Sequence, residues 1–431
     1  MRHESSTAAA PKTSVWTVPF EGPANLAELA GTDAYLWLRD REGLVGWGTA
    51  ARIEVDTGPD RFENAAEAVA ELFKGFDIRD EVGVTGTGPV AFGSFTFDEN
   101  SLGSVLVIPQ VVIGRRDGHP WMTTFGREPP AARPRTDALS SDRVRYAGST
   151  VSEIAWLEAV SGALEGIREG PLDKVVLARD VLIWSKTPFE IGLLVARLSQ
   201  DFPECFTFAV EGLVGATPEL LIRRSGDAVE SLVLAGSARR GATVDEDADI
   251  GVGLMRSDKD LREHDFAVRS VSSILRPLCD RLGVDPSPSI LPLANVQHLS
   301  TRVRGRLRRP LTALQLAGAL HPTAAVCGTP TADALAAIHT LEGLDRGRYA
   351  GPVGWVDSRG DGEWAIALRC AEIEGDRARL FAGAGIVEGS LPEDELEETR
   401  LKLRAMQSAL DPTDGRVNAA RVPPPSTPSD G

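Results

Sequence analysis

Residues associated with metal–thiolate sites, disulfide frameworks and membrane spans are scarce in this sequence. Its 431 residues include four cysteines, Cys205, Cys279, Cys327 and Cys370. They are widely separated and form no Cys-x-x-Cys motif, which argues against a zinc site and against a disulfide framework. No apolar run approaches the length of a transmembrane helix, and the N-terminal segment lacks the apolar core of a signal peptide. These absences predict a soluble, cytoplasmic protein.

Positive charge is also scarce, and lysine most of all. The chain has 46 Lys and Arg against 62 Asp and Glu, a net charge of −16. This balance argues against nonspecific nucleic-acid binding and against a basic membrane surface, but it permits an anionic small molecule in a locally basic pocket. The lysines are Lys12, Lys74, Lys174, Lys186, Lys259 and Lys402. Of the two cationic residues, lysine can lose its proton in a protein and arginine cannot. Lys174, at the head of the apolar run "DKVVLAR", is therefore a candidate base; the ordinary alternative is a charge at a strand edge.

Composition and patterning predict a globular α+β chain. The hydrophobic fraction of 42% suits a soluble domain with a large core. Residues 1–14 and 411–431 are predicted to be disordered because they are rich in small polar residues and proline. Residues 15–145 alternate short β-rich runs with glycine turns, around one helix. Residues 146–410 insert helices singly between strands, including a long helix over residues 258–283, and lack regular βαβ alternation.

Two predicted helices each carry a pair of carboxylates. Asp260 and Glu263 lie three apart in "DKDLREH", and Glu395 and Glu398 do so in "PEDELEETRLK", with Lys402 one turn further on. Residues three apart share a helix face. For either pair alone, a favourable interaction with the helix dipole is the more ordinary interpretation. If the fold brought both pairs together, the carboxylates would repel one another unless a divalent cation lay among them, and Mg²⁺ takes one or two carboxylates plus water and substrate oxygens.

Other polar residues interrupt apolar strands. Glu219 in "GATPELLI" becomes a plausible general acid if burial raises its pKa, and is otherwise a strand-edge residue in water. A lone histidine such as His298 is more often structural than catalytic. Arg369, in the predicted strand "AIALRCAEI", needs an anionic partner if it is buried. The motif "AGAGIVEG" lacks the spacing of a dinucleotide fingerprint and predicts a strand end at which Gly383 and Gly385 let the backbone approach a ligand.

In order along the chain, the motifs resemble those of the chorismate-utilising enzymes. They cover residues 150–405 and read "KVVLAR", "GATPELLI", "LAGSARRG", "DKDLREHDFAV", "VQHLSTRVRG", "LHPTAAVCGTP", "RYAGPVGWVD" and "AGAGIVEGSLPEDELEETRLKL". The resemblance implies a large two-layered β-sandwich core with helices packed on the outside. Residues 15–145 would then form a variable β-rich part of the same fold, and residues 146–410 a chorismate-binding catalytic region. It further implies Mg²⁺ as cofactor, no nucleic-acid or membrane partner, and a monomer, with a homodimer as the alternative.

The resemblance also implies roles for single residues. Lys174 corresponds to the base that deprotonates the attacking water, Glu219 to the acid that protonates the departing hydroxyl, and His298 to a histidine close to the ring. The acidic positions comprise two magnesium ligands, Glu263 and Glu398, and two residues behind them, Asp260 and Glu395. The implied substrate-binding positions are Gly236, Ser237, Thr323, Ala325, Tyr349, Arg369, Gly383, Gly385 and Lys402.

A few positions distinguish the branches of the family. Anthranilate synthases carry glutamine where Lys174 stands, and aminodeoxychorismate synthases a lysine where Ala235 stands. Members that eliminate pyruvate tend to carry threonine at Ala325 and lysine at Thr331. The resemblance therefore implies the isomerase branch, the isochorismate synthases, which add water at C2 of chorismate with loss of the C4 hydroxyl. Salicylate synthase is the alternative, with anthranilate synthase component I and a catalytically silent binding subunit less favoured. Supply of menaquinone and supply of a siderophore both remain open.

Overall fold

The computed structural model describes residues 12–126 and 144–411. The predicted disorder of the two ends therefore lies almost wholly outside the described residues. Within them, the strands are β1 (Thr13–Pro19), β2 (Tyr35–Arg39), β3 (Glu42–Trp47), β4 (Ala51–Glu54), β5 (Phe76–Asp80), β6 (Val90–Ser94), β7 (Val105–Ile108), β8 (Val111–Arg116), β9 (His119–Phe125), β10 (Arg145–Gly148), β11 (Lys174–Trp184), β12 (Phe206–Val210), β13 (Leu213–Thr217), β14 (Leu220–Ser225), β15 (Ala228–Arg239), β16 (Cys279–Val284), β17 (Ser289–Pro292), β18 (Val296–Leu307), β19 (Gly328–Thr329), β20 (Pro352–Asp357), β21 (Gly362–Ile366), β22 (Cys370–Glu374) and β23 (Arg377–Val387).

The helices are inserted singly or in pairs between these strands. They are α1 (Arg61–Lys74), α2 (Glu153–Glu169), α3 (Ile191–Asp201), α4 (Val244–Leu254), α5 (Asp258–Leu278), α6 (Ala313–Leu320), α7 (Thr331–Leu341) and α8 (Pro392–Leu410), with a short 3₁₀ helix at Leu26–Leu29. Among the described helices, none combines the length and the apolar character needed to cross a membrane.

The strands form two large sheets. In the first the order is β10-β11-β23-β22-β13-β12-β2-β3-β8-β9-β1-β5, with β19 also pairing with β11. In the second it is β16-β18-β15-β14-β21-β20-β6-β7-β4, with β17 also pairing with β18. Among the described strands, only β1 and β5 pair in parallel. Early strands join late ones in both sheets, β2 beside β12 and β6 beside β20, so both sheets are shared by the two parts of the chain.

One core lies between the two sheets. Trp37 on β2 and Trp364 on β21 are both fully buried in it. The indole N–H of Trp37 donates across the sheets to Glu363 Oε2 at 2.7 Å. Helices pack against the strands, α5 on β15 and α8 on β23 among them. The arrangement confirms the predicted α+β architecture of two β-layers with helices packed on them.

Sequence patterns account for the two helices that carry the paired acids. On α5 the buried residues His264, Ala267, Val271 and Leu275 recur every three or four positions, which is the pattern of a helix with one buried face. Ser257 caps its first turn by accepting from the backbone N–H of Asp260. α8 begins at a proline, followed by an acidic first turn, and both features favour a helix N-terminus. Both acid pairs therefore begin near helix N-termini.

The predicted boundaries need correction at two points. The long helix does not continue to residue 283: α5 ends at Leu278, and the following residues form β16, which pairs with β18. Pro277 lies in the last turn of α5, and a proline supplies no backbone N–H to continue a helix. The pairing also requires Gly305, because a Cβ there would lie 2.7 Å from Cys279 Sγ. At the N-terminus, β1 begins at Thr13, inside the segment predicted to be disordered.

Candidate active site

The candidate site lies where the chain crosses from one sheet to the other. Strand β13 of the first sheet continues through Pro218 and Glu219 into β14 of the second, and β21 of the second returns through residues 367–369 to β22 of the first. The two crossings are joined by hydrogen bonds: Ile366 N–H donates to Glu219 O (3.1 Å), and Ala216 N–H donates to Arg369 O (3.1 Å). The expectation of unbroken strands through Glu219 and Arg369 was therefore wrong.

A cavity of about 620 Å³, including its open mouth, lies at these crossings. Most of the residues predicted to form the site line it: Glu219, Gly236, Ser237, Glu263, His298, Ala325, Tyr349, Arg369, Gly383, Gly385 and Lys402. Apolar residues that the sequence did not single out complete its wall, among them Val176, Leu368 and Phe381. Phe381 stacks on the ring of Tyr349, with ring centroids 5.1 Å apart.

Arg369 presents an unpaired cation to this cavity. Its backbone has a φ of +49°, an uncommon left-handed conformation for a non-glycine residue. The side chain is buried, and its Nη2 donates to His298 Nε2 at 3.1 Å, whereas its Nη1 has no hydrogen-bond partner among the described residues. A buried guanidinium with a free N–H is a strong site for a carboxylate.

The neutral imidazole of His298 orients this arginine. Because arginine only donates, Nε2 of His298 must accept, so that the ring proton lies on Nδ1. There it faces Ser237 Oγ at 3.1 Å and Gly236 O at 3.3 Å. Burial, Arg369 and Lys402 hold the pKa of His298 well below its ordinary value. Gly236 and Ser237 thus contact one side of the His298 ring, and Arg369 contacts the other. Gly236, at φ +76°, forms the bulge in β15 that turns Ser237 toward the histidine.

Lys174 is completely buried at the start of β11. Its Nζ lies 3.2 Å from Glu263 Oε1 on α5, without the alignment of a hydrogen bond. Gly385 on β23 makes this approach possible, because a Cβ at that position would lie 2.1 Å from Glu263 Oε1 and 3.2 Å from Lys174 Cε. The close approach predicted at Gly385 is therefore made by the side chains of Glu263 and Lys174.

Substituting Gly385 tests this packing. We expect Gly385→Ala to lower kcat about a hundredfold, because the added methyl must displace the Glu263 carboxylate and the Lys174 stem from their positions. Steady-state kinetics together with thermal unfolding would measure the effect. Gly253→Ala in α4 is the matched control, because its added Cβ meets no atom within 4 Å. Activity of Gly385→Ala equal to that of this control would contradict the account.

Half of the chain's lysines converge on the predicted acidic positions. Besides Lys174 with Glu263, Lys402 Nζ lies 2.5 Å from Glu398 Oε1, and Lys259 Nζ lies 2.6 Å from Glu395 Oε1. Lys402 also donates to Gly383 O at 2.9 Å. Sequence reasoning counted Lys259 among the six lysines but did not assign it to the site, although its position beside Asp260 in "DKDLREH" was a signal.

The acids differ in their protonation because their neighbours differ. Burial raises the pKa of Glu219 to about 8, against the opposing effect of Lys174. Burial and the nearby Glu398 raise the pKa of Glu395 to about 7, and burial is also the main cause of the raised pKa of Asp260. Burial acts in the same direction on Glu263, but Lys174 and the other two lysines together hold its pKa below the ordinary value. The cavity thus combines a carboxyl group that keeps its proton at neutral pH with a carboxylate that remains ionised.

The similarity of the chain to known proteins agrees with this site. A family model described as "Chorismate binding enzyme" matches residues 19–411. The chain belongs to this family.

Relatives within the chorismate-binding family are named isochorismate synthases. DhbC of Bacillus subtilis is 44% identical over 263 residues, which cover 58% of this chain and 66% of that protein, slightly under two thirds of its length. MenF of Bacillus subtilis is 36% identical over 352 residues, 75% of each chain. The structure of MenF, the menaquinone-specific isochorismate synthase from Escherichia coli, matches with a TM-score of 0.76 at 25% identity, over 94% of this chain and 97% of that one.

Thr323 and Ala325, both predicted from the family to bind substrate, differ in their position relative to the cavity. Ala325 lines the cavity, whereas Thr323 does not belong to its wall. The Thr323 hydroxyl is buried with no hydrogen-bond partner among the described residues. Its carbonyl accepts from the backbone N–H groups of Val326 and Cys327, so Thr323 shapes the turn that presents Ala325 and Val326 to the cavity.

Proposed function

We propose that this protein is an isochorismate synthase, an isomerase that converts chorismate to isochorismate. The observation that carries the proposal is that Glu219, Glu263 and the cations Arg369 and Lys402 line one cavity, while Lys174, buried outside this lining, lies 3.2 Å from Glu263. The names of the relatives support the same activity. Chorismate is a dicarboxylate, and Arg369 and Lys402 supply positive charge for its two carboxylates, with the Tyr349 hydroxyl beside them.

The reaction requires a base for water and an acid for the leaving hydroxyl. Water is a poor nucleophile and hydroxide a poor leaving group, so proton transfers must accompany both steps. Lys174, as the unprotonated amine, takes a proton from the water as the water oxygen bonds to C2, and becomes an ammonium. Glu219 gives its proton to the C4 oxygen as that bond breaks, so that water departs. Surroundings that shift the pKa values of two titratable groups apart are the expected arrangement for an acid and a base in one site.

The acidic residues fit Mg²⁺ at the ring-carboxylate side of the cavity. Glu263 and Glu398 would hold the ion, which would polarise the bound carboxylate, and Asp260 and Glu395 would orient ligands behind them. Within residues 12–126 and 144–411, no group of three or more His, Cys, Asp or Glu side chains is clustered as a metal site. Two glutamates completed by water and substrate oxygens match the usual preference of Mg²⁺.

The pH dependence follows from the burial of Glu219. With a pKa of about 8, its carboxyl group carries the required proton below that pH and loses it above. We therefore expect kcat/KM to fall on the alkaline side with an apparent pKa near this value, which is far above that of an ordinary glutamate. Thermal unfolding measured over the same range separates this loss from denaturation. A profile that stays flat for more than one pH unit above that value would contradict the assignment of the acid.

Product analysis tests the proposed function. Purified protein with chorismate and Mg²⁺ should yield isochorismate by chromatography, with no pyruvate detected by coupling to lactate dehydrogenase, and EDTA should stop the reaction. Pyruvate formed in proportion to consumed chorismate would overturn the proposal in favour of a salicylate synthase, and Ala325 in the cavity wall argues against that outcome. Lack of any chorismate turnover would instead favour a silent binding subunit.

Two wider properties remain part of the proposal. The product would feed menaquinone or siderophore synthesis, since the named relatives include a menaquinone-specific isochorismate synthase and a vibriobactin-specific one from Vibrio cholerae. We propose a monomer on the basis of the resemblance to the family, and size-exclusion chromatography with light scattering would distinguish it from a homodimer.

A further inference from the structure

Strand β11, which carries Lys174, has a gap along one of its edges. On one side it pairs with β23 over its whole length. On the other side β19 pairs only with its first two residues, Lys174 and Val175, and β10 only from Leu182 onward. Peptide groups between these points would be buried without partners, which is costly. Backbone pairing supplies one partner there, since Val176 N–H donates to Cys327 O at 2.8 Å.

The side chains of an ion pair fill the gap. Arg346 Nη2 donates to Val176 O at 2.8 Å, and Ala178 N–H donates to Glu342 Oε2 at 2.7 Å. The carbonyl of Ala178 accepts from the indole of Trp156 at 3.2 Å. Glu342 and Arg346 therefore provide an acceptor and a donor where a neighbouring strand would normally provide peptide groups.

The same pair also contacts the segment that carries Val326, a residue of the cavity wall. Arg346 Nε lies 2.6 Å from Glu342 Oε1, and its Nη1 donates to Val326 O at 2.8 Å. Its guanidinium lies over the ring of Phe97, 4.1 Å from the centroid. Both members are almost fully buried, at 1% and 3% exposure. A buried ion pair is weak evidence for added stability. The planar guanidinium of Arg346 nevertheless has a rigid donor geometry, which fixes the positions of the backbone carbonyls that it contacts.

We propose that Glu342 and Arg346 are a positioning pair for the reaction. They hold β11, with Lys174 at its start, at a fixed distance from the segment that presents Val326 to the cavity, and neither of them lines the cavity itself. This inference rests on the proposed function, because it assigns the pair to alignment of the base with the bound substrate. Lys174 lies two residues before Val176, so a small shift of the strand moves its amine relative to the reacting carbon.

Kinetics of two conservative variants test the proposal. Glu342→Gln removes the charge, and Arg346→Lys keeps the charge but loses the fork. We expect each to lower kcat about tenfold to a hundredfold while KM for chorismate changes less than about threefold, since the cations that bind the carboxylates are untouched. The matched control is Glu363→Gln, a buried carboxylate that accepts from Trp37 and Arg223. The control should lower the melting temperature and leave kcat near that of the wild type.

Hydrogen exchange supplies a readout independent of activity. In the wild type the two carboxylate oxygens of Glu342 accept from three donors, Ala178 N–H and the Nε and Nη2 of Arg346. Glu342→Gln leaves one neutral acceptor oxygen for these donors and replaces the other with a donor group, so we expect the Ala178 amide to exchange at least about tenfold faster while amides paired with β23 keep their protection. Unchanged kcat in the folded variants, or a fall matched by Glu363→Gln, would overturn the proposal, as would uniform loss of protection along β11. If the wild type converts chorismate to another product, the proposed function fails, and the positioning claim is still decided by chorismate consumption and by exchange.

Discussion

Replacing Lys174 by arginine or by methionine is expected to slow water addition to chorismate by about a hundredfold or more. Arginine preserves the positive charge beside Glu263 but cannot accept a proton from water at any working pH. Methionine preserves the approximate volume of the buried side chain and removes both the charge and the basic amine. The two variants together separate a base from a cation, because a residue needed only for its charge would leave the arginine variant active.

The measurement is kcat for isochorismate formation, with thermal unfolding to establish that both variants fold. Lys186→Arg is the matched control, since Lys186 follows the far end of the same strand and is exposed; its activity should equal that of the wild type. If Lys174→Arg retained more than about a tenth of the wild-type rate, a loss smaller than general-base catalysis normally gives, Lys174 would be a charge and not the base.

Replacing Glu263 by glutamine is expected to raise the Mg²⁺ concentration for half-maximal activity about tenfold to a hundredfold. The amide keeps the shape of the side chain, but it lacks the negative charge that attracts a hard cation. Lys174 also loses its ionised partner, so the melting temperature should fall. The Mg²⁺ titration is therefore run at a temperature well below the melting temperature of the variant. The measurement is initial rate against Mg²⁺ at saturating chorismate.

Asp265→Asn on the same helix supplies the control for this titration. Asp265 is exposed and pairs with Arg269 one turn further on, at 2.7 Å, so its loss removes the same charge from α5 outside the cavity. We expect the magnesium dependence of this variant to match that of the wild type. An unchanged magnesium dependence in Glu263→Gln would remove Glu263 from the metal site.

The family, the fold class and part of the site could be predicted from short stretches of the sequence. The acid pairs Asp260–Glu263 and Glu395–Glu398 follow from helical spacing, and the scarcity of lysine drew attention to Lys174. Recognition of the chorismate-utilising motifs is confirmed by the family match, and the two-layered fold by the similarity to a solved structure of the family. These features are encoded within single segments, which is why one sequence is enough to find them.

The sheet crossings could not be predicted because they depend on distant pairing. "GATPELLI" and "AIALRCAEI" each look like one strand, although each leaves one sheet and enters the other beside Glu219 and Arg369. Pro218 was a local signal for the first crossing, since proline disrupts strand pairing; the second has no comparable marker. Glu342 and Arg346 were missed for the same reason, because their function depends on a gap in β11 that only the assembled sheet creates.

Isotope incorporation tests the central claim most directly. The reaction is run with chorismate and Mg²⁺ in water enriched in oxygen-18, and the product is analysed by mass spectrometry and by carbon NMR. The account predicts isochorismate with one solvent oxygen, bonded to C2, and no pyruvate. Isochorismate without the label would show that solvent water is not the nucleophile, and would contradict the roles assigned to Lys174 and Glu219.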